Sequence, residues 1–226
     1  MTTTDTPAAA VQAGERYYGF SALLSGLGKM WRATVPAVVF ILINAVVQAG
    51  LVSSDPSVGL SFDFVAALVA SVVMLLFLGA VLSSGAYEAA AGRAGFGVVM
   101  GRMRRRFGRF AVWVIVQSVL VGIAWLVWPV LGGIVAWVLV YVPVAAVSDD
   151  EGNPMINNFR AIRRHPIRWG VTGVIIGILL ALGFVLAALN TFFVSGFVGS
   201  ALAAGVGGIF SWWYLTAWAC LYRSAK

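Results

Sequence analysis

Phe110–Ser148, FAVWVIVQSVLVGIAWLVWPVLGGIVAWVLVYVPVAAVS, is a run of 39 residues without a charged side chain. A helix that crosses the hydrocarbon core of a bilayer needs about 20 mostly apolar residues. The run is therefore too long for one spanning helix and about right for two. Trp128, Pro129, Gly132 and Gly133 lie near its middle, where Pro and Gly together favour a turn. The spacing predicts a tight hairpin of two helices, over 110–128 and 130–148.

Working outward, Ala33–Ser54 is uncharged and predicts a span over 34–52. Ser53–Asp63, with Asp55, Pro56 and Gly59, reads as a short polar loop. Phe64–Tyr87 predicts a second span of 24 residues, about 36 Å long at 1.5 Å per residue. Beyond a charged loop from Asp149 to Arg168, Trp169–Tyr222 runs 54 residues without a charge. It must fold back once, near Asn190–Gly199, giving spans over 169–190 and 199–222. The expected fold is all-α: a polytopic integral membrane protein of six transmembrane helices, with amphipathic helices on the cytoplasmic side. Residues 1–16 read as a flexible cytoplasmic tail and 17–226 as a single domain.

Composition points the same way. Of 226 residues, 61% are hydrophobic and 10% charged, against about 25% charged in an average soluble domain. So few charges cannot cover a water-soluble protein of this size, nor support a disordered chain. One cysteine, Cys220, allows no intramolecular disulfide. The first fifteen residues are polar and small and lack a basic stretch, so they do not read as a secretory signal.

The net charge of +7 comes from 15 basic and 8 acidic residues. With the N-terminus inside, Arg16, Lys29 and Arg32 lie on the inner face. So do Arg93, the five arginines from Arg102 to Arg109, the four from Arg160 to Arg168, Arg223 and Lys226. Basic residues accumulate in cytoplasmic loops. The pattern therefore predicts a multi-pass protein of the cell (inner) membrane with both termini cytoplasmic. Since orientation accounts for these arginines, nucleic acid is not an expected partner.

Three segments on that face are amphipathic. Phe20, Leu23, Leu24, Leu27 and Trp31 form one stripe over about Tyr17–Trp31. Val99, Met103, Phe107 and Phe110 form another over Gly97–Arg109, flanked by Arg102, Arg104, Arg105, Arg106 and Arg109. The third begins at Asn153-Pro154, a favoured cap and first helical residue. There Met155, Ile156, Phe159 and Ile162 oppose Arg160, Arg163 and Arg164, and His165-Pro166 ends the helix. The arginines read as topology anchors on anionic headgroups, or as a docking surface for a lipid phosphate or a protein partner.

Within the spans, Asn44 and Gln48 share a helix face, and Gln117 stands in the third span. Such groups join helices, at about 0.6–2 kcal/mol each, or line a substrate cavity. Glu88, at the inner end of the second span, is expected to pair with Arg93 or Arg163. Gly173 and Gly177, and Ala204 and Gly208, let helices approach closely. No nucleophile–base pair, no paired intramembrane acids, no HExxH, no P-loop and no metal-ligand cluster is present in the sequence. An enzyme is not expected, and no metal or cofactor.

The chain resembles the six-helix membrane domain attached to some bacterial glycerophosphodiester phosphodiesterases and its stand-alone bacterial and archaeal relatives. The resembling residues are Glu88-Ala-Ala-Ala-Gly-Arg93, the basic lead into the third span and the Pro129-centred hairpin. Tyr141-Val-Pro143 through Arg164 also matches. The resemblance implies the six-helix architecture and a lipid-related setting. It implies no catalytic residue, because no phosphodiesterase domain is present. The arrangement also looks like a permease whose inner helices dock on a separate ATPase, a likeness of architecture alone. The expected function is a non-catalytic membrane protein or complex subunit that binds lipid, a partner protein or its own copy, supporting transport or envelope assembly. The alternative is a permease-like subunit with a substrate path between helices.

Overall fold

A computed structural model describes residues 18–53, 61–92, 95–193 and 196–225. The expected flexible tail, most of the polar loop after Ser53, and Arg93 lie outside the described residues. Every element found is helical. In chain order these are α1 (Tyr18–Met30), a 3-10 turn (Trp31–Ala33), α2 (Thr34–Ser53), α3 (Phe62–Ala90) and α4 (Phe96–Val127). Then follow α5 (Pro129–Val138), α6 (Val142–Val147), α7 (Pro154–Arg164), α8 (Pro166–Phe193) and α9 (Gly196–Ser224). Among the described residues, six helical stretches are long and apolar enough to cross a membrane.

Two boundaries differ from the sequence reading. The arginine-rich segment is not set apart from the third span but forms the first third of α4, a continuous helix of 32 residues. It contains no proline, and isolated Gly101 and Gly108 each cost only about 1 kcal/mol in a helix. At 1.5 Å per residue α4 is about 48 Å long, well beyond the roughly 30 Å of a hydrocarbon core. Its arginines all lie in the N-terminal half.

The second difference is a break in the fourth span, between α5 and α6, at Leu139–Tyr141. Pro143 lacks an N–H and its ring crowds the carbonyl four residues back, so a straight helix through Leu139 is blocked. Asn158 of α7 fills the break. The Tyr141 amide donates to Asn158 Oδ1 at 3.0 Å, and Asn158 Nδ2 donates to the Val138 carbonyl at 2.9 Å. Asn158 is fully buried. One side chain thus satisfies a donor and an acceptor that the break releases, which matters most where water is excluded.

The core lies toward the basic end. Leu78 and every residue from Ala80 to Ala89 of α3 are buried. It packs with Val99, Met103 and Phe110 of α4, with α6, and with Trp212, Trp218 and Tyr222 of α9. Helix α9 is the centre, packing against α1, α2 and α3. Gly26 makes one of these contacts possible: a Cβ there would stand 2.8 Å from the Ala217 backbone. The opposite halves of the long helices show apolar side chains outward, including Leu68 and Val72 of α3, Val119 and Ile123 of α4, and Leu202 and Val206 of α9. Such faces are compatible with lipid, which solvates them as well as another helix would.

Candidate functional site

The polar residues of the basic end form a connected set. Tyr87 and Glu88 arrive at the end of α3, just before Gly92 and Gly95, whose φ values of +79° and +136° turn the chain into α4. Glu88 is 1% exposed and Arg102 4%. Arg102 Nε donates to Glu88 Oε1. Its Nη1 donates to the Val147 carbonyl at 2.9 Å and to Asp149 Oδ1 at 2.8 Å, and Nη2 to Asp149 Oδ2 at 3.1 Å. The guanidinium also lies 4.5 Å from the centre of the Tyr87 ring. The planar fork suits this use, since it serves a carboxylate in two-point fashion and still reaches a carbonyl. Through one side chain, α3, α4 and the end of α6 are tied together.

A second set holds the acidic turn after α6. Arg109 Nη1 donates to the Asp150 carbonyl and Nη2 to the Gly152 carbonyl, both at 2.8 Å. The Tyr222 hydroxyl of α9 donates to Asp150 Oδ2 at 2.7 Å. Asn153 then caps α7, accepting from the Met155 amide at 2.8 Å. At the other end of α7, Arg164 donates to the Ala225 carbonyl. His165 Nε2 lies 3.2 Å from the Ser224 carbonyl. The Arg164 guanidinium at the C-terminal end of α9 complements the negative end of its dipole.

The eight arginines singled out by sequence therefore part company. Arg102, Arg109 and Arg164 bond to groups within the fold. Arg160 Nη1 donates to Asn157 Oδ1 at 3.2 Å. Arg104, Arg105 and Arg163 are exposed and Arg106 is half-exposed. Among the described residues Glu88 meets the guanidinium of Arg102, a partner the sequence reading did not name; of the two it did name, Arg93 lies outside the described residues and Arg163 is exposed.

Of the polar residues in the spans, Gln48 Nε2 donates to Asn44 Oδ1 at 3.4 Å, and Ser71 Oγ of α3 donates to Gln48 Oε1 at 2.9 Å. These three join α2 to α3. Gln117 Oε1 is buried with no hydrogen-bond partner among the described residues. No group of three His, Cys, Asp or Glu among the described residues is placed to hold a metal ion.

Sequence reasoning missed Asn157 and Asn158, Tyr222, and the binding of Arg102 by Asp149. One signal was present: Arg102 lies three residues from Val99 and beside Met103, on the edge of the apolar stripe. An arginine at that position turns inward only if an acid waits there.

No family model, curated protein or solved structure matches the chain.

Proposed function

We propose that this chain is a non-catalytic multi-pass protein of the cell (inner) membrane, a lipid-binding scaffold for transport or envelope assembly. Its basic end and both termini face the cytoplasm, where Arg104, Arg105, Arg106 and Arg163 bind anionic phospholipid headgroups. The observation that carries this reading is the division of the arginines. Arg102, Arg109, Arg160 and Arg164 bond to groups within the fold, while Arg104, Arg105, Arg106 and Arg163 are exposed or half-exposed at the same end. Each basic group near an anionic surface contributes about 1 kcal/mol. The likeness to the six-helix domain of glycerophosphodiester phosphodiesterases agrees with a lipid setting. The bonds among Asn44, Gln48 and Ser71 suit helix joining and lend no support to a permease path along those residues.

The test is the variant R104Q/R105Q/R106Q, purified in parallel with the wild type and analysed for retained lipid. The expected result is loss of most co-purifying anionic lipid with unchanged thermal stability. An unchanged lipid complement overturns the reading.

A further inference from the structure

A cavity of about 300 Å3 lies where the acidic turn, α7 and the end of α9 meet. Its lining is sorted by charge. Asp150 and Glu151 stand before the first turn of α7; Arg160 and Arg164 stand toward its last turn. Asn157 lies between them, and the spacing 157, 160, 164 keeps all three on one helix face. Tyr222 and Ala225 of the α9 end close the remaining side.

Asn157 supplies the second observation. It is 6% exposed. Its Oδ1 accepts from Arg160, and its Nδ2 has no hydrogen-bond partner among the described residues. A buried donor without an acceptor costs about 1–3 kcal/mol. An acceptor arriving between Asn157 and the two arginines removes that cost.

Among the described residues the lining sums to two carboxylates and two guanidiniums. A simple anion is attracted by one end and repelled by the other, and a simple cation likewise. A zwitterion satisfies both ends. We infer that this cavity takes an ethanolamine phosphate group. Its phosphate lies on Arg160, Arg164 and the Asn157 amide; its primary ammonium lies on Asp150 and Glu151. Guanidinium–phosphate and ammonium–carboxylate contacts are the stronger, charge-assisted kind. A choline group lacks N–H donors and is recognised by aromatic cages, whereas among the described residues this lining holds a single aromatic, Tyr222. The group belongs either to a membrane lipid or to a soluble phosphoethanolamine. Exposed Ile156 and Phe159 on the same short helix put the cavity beside an apolar surface. The cavity uses none of the four outer arginines, so it stands or falls apart from the anionic-lipid reading.

The test is native mass spectrometry of the purified full chain in mild detergent. It is titrated with phosphatidylethanolamine, phosphatidylcholine and phosphatidylglycerol of identical acyl chains, and separately with phosphoethanolamine. The inference predicts one saturable adduct, with the ethanolamine headgroup favoured about tenfold over the other two, the value of one lost charged contact. E151Q and R160Q each remove that preference while helicity stays at the wild-type value, and E151Q, an exposed side chain, also keeps wild-type thermal stability. R104Q/R105Q leaves it intact. A one-to-one adduct with phosphoethanolamine alone assigns a soluble source, and one with the lipid alone assigns the bilayer. Equal binding of all three lipids with no phosphoethanolamine adduct overturns the inference. So does a preference unchanged in both E151Q and R160Q, or no adduct at all.

Discussion

Replacing Arg102 by methionine tests how the basic end is held together. The substitution preserves most of the side-chain length but withdraws the guanidinium from Glu88, Asp149 and the Val147 carbonyl. The three losses are unequal. The Glu88 side chain is 2% exposed, and removing one partner from such a buried ion pair costs about 3–5 kcal/mol. The Asp149 side chain is 60% exposed, so its share is no more than about 1 kcal/mol. The Val147 carbonyl adds about 1 kcal/mol more. Because these contacts share one group they do not sum independently, and about 4 kcal/mol is the expected loss. For a chain of this length that lowers the midpoint of thermal unfolding by about 10 °C. The assay is fluorescence-detected size exclusion of protein heated in mild detergent. E88Q/R102M, which removes both charges, recovers most of the loss. R102K keeps a charge without the fork and falls between. An R102M midpoint within about 1 °C of wild type refutes the reasoning, as does a double variant no more stable than R102M.

Four further outcomes follow from other contacts. N158L leaves the Tyr141 amide and the Val138 carbonyl without their side-chain partner and lowers stability by about 2–4 kcal/mol, read as faster amide exchange around residues 138–142. G26A puts a methyl group 2.8 Å from the Ala217 backbone, which cannot swing aside. It costs about 1–3 kcal/mol and exposes α1 to limited proteolysis. G173A displaces the Trp137 ring, which a Cβ would approach to 1.9 Å, from its 4.8 Å stack on Trp169, seen as a change in tryptophan near-ultraviolet circular dichroism. Q48L and S71A each lose about 0.6–2 kcal/mol, and the double variant loses no more than Q48L alone, as a double-mutant cycle on thermal midpoints will show.

The number of long apolar helices was legible because hydrocarbon imposes one strong rule, about 20 apolar residues per crossing, and long charge-free runs obey it. The capped start of α7 was legible too, since Asn153 and Pro154 act through neighbouring backbone alone. Long-range partners were not. Arg102 and Arg104 differ by two positions in sequence, yet a helix turns them to different sides, and the acids that hold the buried one, Glu88 and Asp149, lie 14 residues before it and 47 after it. The break in the fourth span was hidden for a similar reason. Pro143 announced a disturbance, but many spanning helices only kink at proline. The deciding residue, Asn158, lies on another helix. The cavity needs the α9 end brought to α7, and no local pattern encodes that meeting.

The most direct test of the central claim is native mass spectrometry of the wild-type protein extracted gently from its own membrane. The proposed lipid-binding role predicts a species that carries anionic phospholipid with no stoichiometric ATPase subunit. A lipid-free complex with a stoichiometric ATPase contradicts it.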